Sequence, residues 1–457
     1  MQLPNSLKTP AWFQTLQFFN NPTGFLEKVA RQYPDIFSGR FFAGQPCVFV
    51  QHPQAVEQFF HNERQKFGLC DNKSVQALVG KYALTSLIGE EHKRQRQFLT
   101  PPFHGERMRS YGQLICDLTA QTLSQQPLHK PFSAYGMMKN ISLQVMLKVV
   151  FGLCSGERYQ QLKHLLPLML DIFASPLFST LVFFPFLQQD LGAWSPWGKF
   201  LRLRQQIDDL IYAEIASRRA RTDPERTDIL SLLMAAKDQE GQSMTDQELR
   251  DQLMTLLLAG HETTIAGMTW GLYWAHQKPE VGEKLRQELD TLGDSPEAMG
   301  IFKLPYLTAV CNECLRYYHP GLMIFPRVVK EPVELLGHLL EPGIRVIACT
   351  YLIHHREDIY PQHKEFRPER FLERKYSSYE FLPFGGGLRR CIGEALSFFE
   401  MKLVLATIMS RYQLSLEEIQ PVGAKFRGFT LGPANGVKMV LTQRRESRKS
   451  LQIGVFS

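Results

Sequence analysis

Apolar residues recur at helical spacing through the middle of the chain, from about residue 90 to residue 320. This period predicts a series of long amphipathic helices: Met108–Gln125, Ser142–Val150, Gly198–Arg221 and Asp246–Trp274. Further along, the segment from Gly393 to Arg411 predicts one more apolar helix. Most of the chain is therefore expected to be helical.

Strand patterns lie on either side of this helical stretch. Apolar and aromatic residues between Asp35 and Val50 predict a short hairpin. Sheet is predicted again over Val333–Ile347 and Phe426–Leu441, where glycine and proline interrupt apolar runs. The predicted fold class is therefore mainly α with small β-sheets.

No repeat, low-complexity tract or linker divides the sequence, so a single domain over residues 1–457 is predicted. Within it we expect a sheet-rich N-terminal lobe at roughly 30–70 and a helical body at roughly 90–320. A region that combines sheet with a cysteine loop is expected at roughly 325–445.

Composition indicates a globular protein with a large core, since 44% of residues are hydrophobic and 21% are charged. The formal net charge of +7 is too mild and too evenly spread to predict nucleic-acid binding. The basic cluster Lys93–Arg96 is better suited to an acidic partner protein or an anionic cofactor group. Eight sparse cysteines, mostly in apolar runs, indicate reduced cytosolic usage and not a disulfide framework.

The N-terminal residues lack the charged and apolar regions of a signal peptide. The longest uncharged stretch, Ile172 to Gln189, is broken by Pro176 and Pro185. It is interpreted as a buried or surface-lying segment and not as a transmembrane anchor. We therefore expect a cytoplasmic protein, with peripheral contact to a membrane surface left open.

The most informative segment is the glycine-rich loop from Phe381 to Cys391. Its glycines permit positive φ and a close approach of the backbone to a flat ligand. Cys391 precedes the predicted helix from Gly393, where free N–H groups and the helix dipole favour a thiolate. A phosphate loop is disfavoured because no Lys-Ser/Thr follows the glycines. A buried structural cysteine is the other alternative.

This loop resembles the haem-binding loop of the cytochrome P450 family, F-x-x-G-x-R-x-C-x-G, at five matching positions: Phe384, Gly387, Arg389, Cys391 and Gly393. The resemblance implies that Cys391 ligates the haem iron, that Arg389 binds a propionate and that Phe384 packs beside the sulfur. It also implies the single-domain fold of that family, with haem between a long oxygen-activation helix and the cysteine loop with its following helix.

The segment Leu256–Thr264, inside the predicted helix Asp246–Trp274, resembles the oxygen-activation motif of the same family. The matching positions are Ala259, Gly260, Glu262 and Thr263. The Thr263 hydroxyl can bond back to the carbonyl of Ala259, which would distort the helix locally and admit water. The resemblance implies that Thr263 donates a hydrogen bond during oxygen activation and that Glu262 lies in the proton path. His261-Glu262 also begins a zinc-protease motif, but the residue where a second histidine is needed is Ile265.

Glu313 and Arg316 share one face of a helix, and a surface ion pair is the ordinary interpretation of such spacing. Their order before Arg370 resembles the Glu-Arg-Arg triad of the family, which braces the cysteine loop. The overlapping Cys311 and Cys314 have no second pair at metal-ligand spacing, so a zinc or redox site is not predicted.

His92 and Arg96 lie where family members often have a tryptophan and an arginine. The resemblance implies that both, together with Arg327, contact the haem propionates. For Lys93 and Arg94 a solvated basic face is an equal alternative, as is a docking surface for a reductant.

The implied reaction inserts one atom of O2 into a C–H bond of a small lipophilic substrate. By position, the pocket walls are expected in five mainly apolar segments: Cys70–Ile88, Leu165–Leu187, Ala259, Leu322–Phe325 and Thr430–Leu431. The pattern is similar to bacterial members of the family, cyanobacterial ones included, that resemble fatty-acid hydroxylases. A fatty acid or hydrocarbon chain is therefore the first expectation, and a terpenoid or steroid is the second.

The expected cofactor is haem b, with electrons drawn from NAD(P)H. The chain ends soon after its last predicted sheet, so we expect an external ferredoxin and ferredoxin reductase, or a flavodoxin, and a monomeric enzyme. A haem-thiolate isomerase, a peroxygenase or a haem-based sensor is the alternative. The Glu262-Thr263 pair favours the monooxygenase.

Overall fold

The computed structural model describes residues 3–41, 45–70, 73–175, 178, 181, 188–221, 223, 225–293, 296–418, 420–428 and 430–445. Its α-helices are α1 Ala11–Asn20, α2 Pro22–Gln32, α3 Pro53–Lys66, α4 Lys73–Val79, α5 Gly89–Leu99, α6 Glu106–Ser124, α7 Ala134–Val145, α8 Glu157–Ala174, α9 Pro196–Ala220, α10 Ile229–Ala235, α11 Asp246–Gln277, α12 Pro279–Asp290, α13 Ala298–Phe302, α14 Pro305–Tyr317, α15 Thr350–His354, α16 Arg370–Glu373 and α17 Glu394–Arg411.

The strands are short: β1 Ile36–Phe41, β2 Gln45–Val50, β3 Phe67–Leu69, β4 Pro131–Ser133, β5 Arg327–Val329, β6 Val333–Leu335, β7 His338–Leu340, β8 Arg345–Ala348, β9 Tyr412–Leu416, β10 Ala424–Arg427, β11 Thr430–Pro433 and β12 Lys438–Arg444. The prediction of a mainly α chain with small β-sheets is confirmed.

The chain folds as two compact units, the first formed by residues 1–72 and 313–391. Its five-stranded sheet has the order β1-β2-β8-β5-β3. The predicted hairpin is present, with β1 and β2 antiparallel and Ile36 opposite Val50. β2 then pairs in parallel with β8, so that Cys47 lies opposite Arg345. The first two of the three predicted sheet regions thus contribute strands to one sheet.

A small hairpin of β6 and β7 is attached to the first unit. Its two turn residues, Leu336 and Gly337, have φ of 49° and 78°. Positive φ at both central residues is the mark of the two-residue turn that matches the twist of antiparallel strands. Val333 and Leu335 point inward beside Phe59 of α3 in the apolar core. Gly337, which interrupts the apolar run in the sequence, therefore lies in the turn of this hairpin.

The second unit, residues 73–312 and 392–457, is built around α11. This helix begins with a capping box in which the side chains of Thr245 and Glu248 bond each other's backbone N–H groups. It ends at Gln277, three residues beyond the predicted end and just before Pro279. Because α11 is buried on nearly every side, its sequence shows only a weak amphipathic period.

The other predicted helices of this unit are present with shifted ends. The stretch Ser142–Val150 belongs to a helix that starts earlier, at Ala134, and its last turn, Met146–Val150, is a π-helix. β9 and β12, near the C-terminus, form one sheet with β4 in the order β4-β12-β9. β10 and β11 form a separate hairpin. The prediction of a single domain stays a prediction.

The uncharged stretch Ile172–Gln189 lies largely outside the described residues. Two members that are described, Phe178 and Leu181, are buried in an apolar cluster with Trp197 and Phe200 of α9. Across the described ranges, the helices are each too short or too polar to span a bilayer.

Candidate functional site

The cysteine loop of the first unit is folded back on itself by backbone hydrogen bonds. The Cys391 N–H donates to the carbonyl of Phe384 over 2.9 Å, and the Gly385 N–H donates to the carbonyl of Leu382 over 3.0 Å. A single 3₁₀ turn, Gly387–Arg389, lies between these bonds. The loop therefore has a defined conformation that leaves Cys391 on an exposed position.

Two glycines of this loop are required by space. A Cβ at Gly386 would lie 2.5 Å from the Phe60 ring. Gly387 has φ of +62°, and a Cβ there would lie 2.2 Å from Oε2 of Glu63. Close approach to a flat ligand was the expected reason for these glycines, and packing against α3 is a further one.

Three buried side chains from distant segments brace the loop. The Leu388 N–H donates to Oε2 of Glu63 over 2.7 Å, and the Leu382 N–H donates to Nε2 of His354 over 3.1 Å. Nε2 of His319 donates to the carbonyl of Pro383 over 2.6 Å. Burial lowers the pKa of both histidines, so they act as neutral rings. The sequence motifs gave no signal for these braces.

Arg327, which was expected to contact a propionate, is already engaged in this structure. Its Nε donates to Oε1 of Glu63 over 2.8 Å, and Nη1 donates to the carbonyl of Phe325 over 2.7 Å. Both charged side chains are at most 5% exposed. Glu63 therefore links Arg327 to the cysteine loop, and sequence reasoning missed it.

The predicted triad is assembled in the first unit. Nε and Nη2 of Arg316 donate to the Glu313 carboxylate over 2.7 and 2.8 Å, and Nε of Arg370 donates to it over 3.2 Å. All three side chains are at most 2% exposed. The Arg367 N–H adds a fourth bond to Glu313 at 2.8 Å. The geometry fits the bracing role, because each arginine also bonds backbone carbonyls of the segment that precedes the loop.

In the second unit, α11 has an accessible patch halfway along its length. Ala259 is exposed and Gly260 and Thr263 are half-buried, whereas residues 249–257 are buried. A Cβ at Gly260 would meet only Cε of Met146, at 3.7 Å. The helix therefore leaves open space at this point.

The predicted bond within this patch is present, since the Thr263 hydroxyl donates to the Ala259 carbonyl over 2.7 Å. The expected local distortion is wrong, because the helix is α-helical without interruption through this turn. A carbonyl has two lone pairs, so it can accept the hydroxyl beside its helical N–H partner.

Glu262 is buried, unlike its neighbour Thr263. Its carboxyl accepts a hydrogen bond from the Tyr135 hydroxyl on α7. Burial is the largest influence and raises the pKa of Glu262, while the bond from Tyr135 opposes it. A buried carboxyl whose partner is a neutral hydroxyl keeps the freedom to gain or lose a proton.

The neighbouring His261 is fully buried, and Nδ1 lies 3.1 Å from Oγ of Ser142. Burial lowers the pKa of His261 to about 3, so the ring is neutral. Within the described part of the chain, the structure shows no group of three or more His, Cys, Asp or Glu side chains that could hold a metal ion.

The helix α5 carries the remaining predicted cofactor contacts. His92 is buried and Arg96 is half-buried, one turn apart. Arg94 pairs with Asp238 and Glu248 over 2.7 Å each, which makes it a structural cation that ties α5 to the start of α11. The docking interpretation of Arg94 and Lys93 stays a prediction; the Lys93 side chain is 57% exposed and pairs with the exposed Glu90.

Comparison with known proteins agrees with these features. The family model described as "Cytochrome P450" matches residues 4–437. Two curated relatives are "Putative cytochrome P450 138" of Mycobacterium tuberculosis and "Putative cytochrome P450 135B1" of Mycobacterium bovis, each 30% identical. The alignment with the first covers 97% of both chains, and that with the second covers 98% of this chain and 93% of the relative.

Solved structures show the same likeness. "Retinoic acid bound cyanobacterial CYP120A1" is 25% identical with a TM-score of 0.84 and covers 97% of this chain and all of its own. "Crystal structure of cytochrome P450DA heme domain" is 20% identical with a TM-score of 0.85, over 98% of each chain, and shows the shared fold. The chain therefore belongs to the cytochrome P450 family. Its activity is that of a P450 monooxygenase, with haem as cofactor and electrons supplied by external donors.

The residues of the cysteine loop fit haem. The porphyrin supplies four ligands to its iron, so the protein needs to offer one, and a thiolate is a known axial ligand. In the described part of the chain a single exposed cysteine lies on a tight glycine loop without a surrounding cluster of metal ligands. That donor set suits a haem iron and does not suit a metal ion held by protein alone.

Proposed function

We propose that this enzyme hydroxylates a lipophilic substrate with a long apolar chain, a fatty acid being the first choice, at or near the end of the chain. The observation that carries this proposal is the accessible patch of α11. Its surface is formed by the apolar Leu258, Ala259 and Gly260 together with the uncharged Thr263, while the ionisable His261 and Glu262 are buried. An apolar wall beside the reacting group selects apolar substrates.

The site residues are assigned as follows. Cys391 ligates the iron of haem b as a thiolate. The neighbours of the ligand are Phe384, which packs beside the sulfur, and Gly393, which lets the following helix begin close to it. The propionates are held by His92, Arg96, Arg327 and Arg389, which supply charge-assisted hydrogen bonds.

Haem, when bound, supplies an iron that activates dioxygen with two electrons, and thiolate ligation favours O–O cleavage. The chain contributes the surroundings. Ala259 and Gly260 leave room for dioxygen beside the helix. The Thr263 hydroxyl, which donates to the Ala259 carbonyl in this structure, would turn to donate a hydrogen bond at the accessible patch. The Glu262 carboxyl would store a proton for oxygen activation.

Electrons are proposed to come from NAD(P)H through a ferredoxin and its reductase, or a flavodoxin, to a monomeric enzyme in the cytoplasm. The chain has 52 lysine and arginine residues and 45 aspartate and glutamate residues. This excess of positive charge favours an acidic electron donor. Purified enzyme with NADPH alone should be inactive, and added ferredoxin with its reductase should restore turnover. Turnover without any partner would overturn this assignment.

An isoprenoid acid is the second candidate, and one observation favours it. The cyanobacterial structure with 25% identity is described as bound to retinoic acid. Retinoic acid shares an apolar chain and a carboxylate with fatty acids. The two candidates therefore share the chemistry that the α11 patch selects.

Binding titrations of the ferric enzyme separate the two, since a substrate that displaces water from the iron shifts its spin state. We expect shifts with straight-chain acids of about 12–18 carbons, lengths on the scale of a ligand pocket. Shifts with isoprenoid acids alone would reverse the order. A response to small polar compounds and to neither class would overturn the proposal.

A rearrangement enzyme or a sensor would not consume the proton held at Glu262. Thr263→Ala distinguishes these classes. The monooxygenase should lose product and release hydrogen peroxide per NADPH consumed, whereas unchanged product formation would support an enzyme that needs no reductive oxygen activation.

A further inference from the structure

Helix α7 carries a polar row that faces α11. Tyr135, Lys139 and Ser142 follow at i, i+4 and i+7, so they share one face of the helix. Ser142 bonds His261 and Tyr135 bonds Glu262. The row is unusual because most of its neighbours on α7 are buried apolar side chains.

The Glu262 carboxyl needs such a partner because of its direction. Successive side chains on an α-helix diverge by about 100°. Thr263 therefore lies on the accessible patch with Ala259, while Glu262 is buried against Tyr135. The tyrosine hydroxyl fixes where the carboxyl rests.

The outer member of this polar row, Lys139, is partly exposed to solvent. Lys139 forms an ion pair with Asp171 on α8, and these side chains are 23% and 63% exposed. The charge of Lys139 acts inward as well, since it lowers the pKa of both His261 and Glu262. The Lys139–Asp171 pair, part of which is exposed to solvent, therefore acts electrostatically on the buried carboxyl.

Among the described residues, four ionisable side chains influence the pKa of Glu262. The Tyr135 bond and the positive charges of Lys139 and Arg427 lower its pKa, and the negative charge of Asp171 raises it. Cζ of Arg427, on β10, lies 4.4 Å from the centre of the Tyr135 ring. Burial opposes this stabilisation of the carboxylate and raises the pKa of Tyr135, which keeps the phenol a hydrogen-bond donor.

We propose that Tyr135 is a positioning residue for proton delivery, whose hydroxyl holds the Glu262 carboxyl at the inner end of a path from Asp171 and Lys139. Glu262 releases its proton toward Thr263 and becomes a carboxylate, which the Tyr135 O–H stabilises. A proton from water at the Lys139–Asp171 pair then restores the acid. This inference rests on the proposed function, in which Glu262 stores the proton.

Infrared titration of the ferric holoenzyme tests the proposal without turnover. The C=O stretch of protonated Glu262 is identified by its loss in Glu262→Gln and followed against pH. Tyr135→Phe should move the midpoint to higher pH, because the carboxylate loses a hydrogen bond. Lys139→Met should move it in the same direction, and Asp171→Asn should move it to lower pH.

Tyr111 offers a matched control. It is a buried tyrosine on α6 whose hydroxyl donates to the backbone carbonyl of Thr227 over 3.1 Å and, within the described residues, to no carboxylate. Tyr111→Phe should leave the midpoint unchanged. A midpoint in Tyr135→Phe equal to that of Tyr111→Phe would overturn the proposal. If Tyr135→Phe does not fold, the other two variants decide the matter. A midpoint in Lys139→Met equal to that in Asp171→Asn would then overturn the proposal.

Turnover gives a second readout. Tyr135→Phe should lower kcat about tenfold with KM unchanged, short of the roughly 10²–10⁴ that a general acid contributes. The pH profile of product formed per NADPH should shift in the direction of the infrared midpoint. Unchanged product yield in Glu262→Gln would refute the proton role in the proposed function, whereas the infrared pattern tests Tyr135 independently.

Discussion

Two buried glutamates in different parts of the molecule have opposite surroundings. Glu313, in the first unit, accepts hydrogen bonds from two guanidinium groups and a backbone N–H and is 0% exposed. Glu262, in the second unit, is bonded to one neutral tyrosine, and burial raises its pKa. Two cationic side chains hold Glu313 in position, which suits a brace. A neutral partner lets Glu262 change its protonation state, which suits a proton store.

Removing the brace should have the largest effect. Glu313→Ala leaves two buried arginines without their carboxylate, which costs about 3–5 kcal/mol of unfolding free energy. Urea denaturation measures this loss. As a control, Glu373→Ala removes an exposed partner of Arg367 and should cost less than about 1 kcal/mol. Equal losses in both variants would mean that the triad is not a brace.

A third glutamate sharpens the contrast. Glu400 on α17 is 2% exposed, and within the described residues its Oε1 has no hydrogen-bond partner. Burial raises the pKa of Glu400 from 4.5 to about 8. The folded state therefore binds more protons than the unfolded state between these values, so stability is lost as pH rises through this window.

Replacing this side chain should remove that dependence. Glu400→Gln should gain unfolding free energy over the native enzyme by about 1.4 kcal/mol per pH unit between about pH 5 and pH 7. Urea denaturation at several pH values measures the gain. The exposed Glu283 on α12 provides the control Glu283→Gln, against which the pH dependence of the gain in Glu400→Gln is compared. A constant difference for Glu400→Gln would contradict the assignment of a buried neutral acid.

The smallest effect is expected at the link between Arg327 and the cysteine loop. Glu63→Gln keeps an acceptor but loses the charge that pairs with Arg327, so we expect a loss of about 1–3 kcal/mol. The variant should also release haem faster to apomyoglobin, because Oε2 of Glu63 bonds the loop at Leu388. Unchanged haem release would limit Glu63 to a role in stability.

Local features of the site could be predicted from the sequence. The bond from Thr263 to Ala259 follows from helix geometry alone, and the start of α11 follows from its cap. The assembly of Glu313, Arg316 and Arg370 followed from a family resemblance. Each depends on neighbours in sequence or on a known order of motifs.

Contacts between distant segments could not be predicted. Tyr135 is 127 residues from Glu262, and Glu63 is 264 residues from Arg327. An isolated tyrosine or glutamate has no periodic signature, because its role depends on tertiary packing. The parallel pairing of β2 with β8 was missed for the same reason, since neither strand's pattern names its partner.

The proposed function depends on Cys391 binding the haem iron as a thiolate. The reduced carbon-monoxide spectrum of the native enzyme and of Cys391→Ala tests it most directly, because this spectrum reports the axial ligand without any substrate. We expect the Soret band of a thiolate-ligated haem in the native enzyme and its loss in the variant. The same thiolate band in Cys391→Ala would contradict the claim.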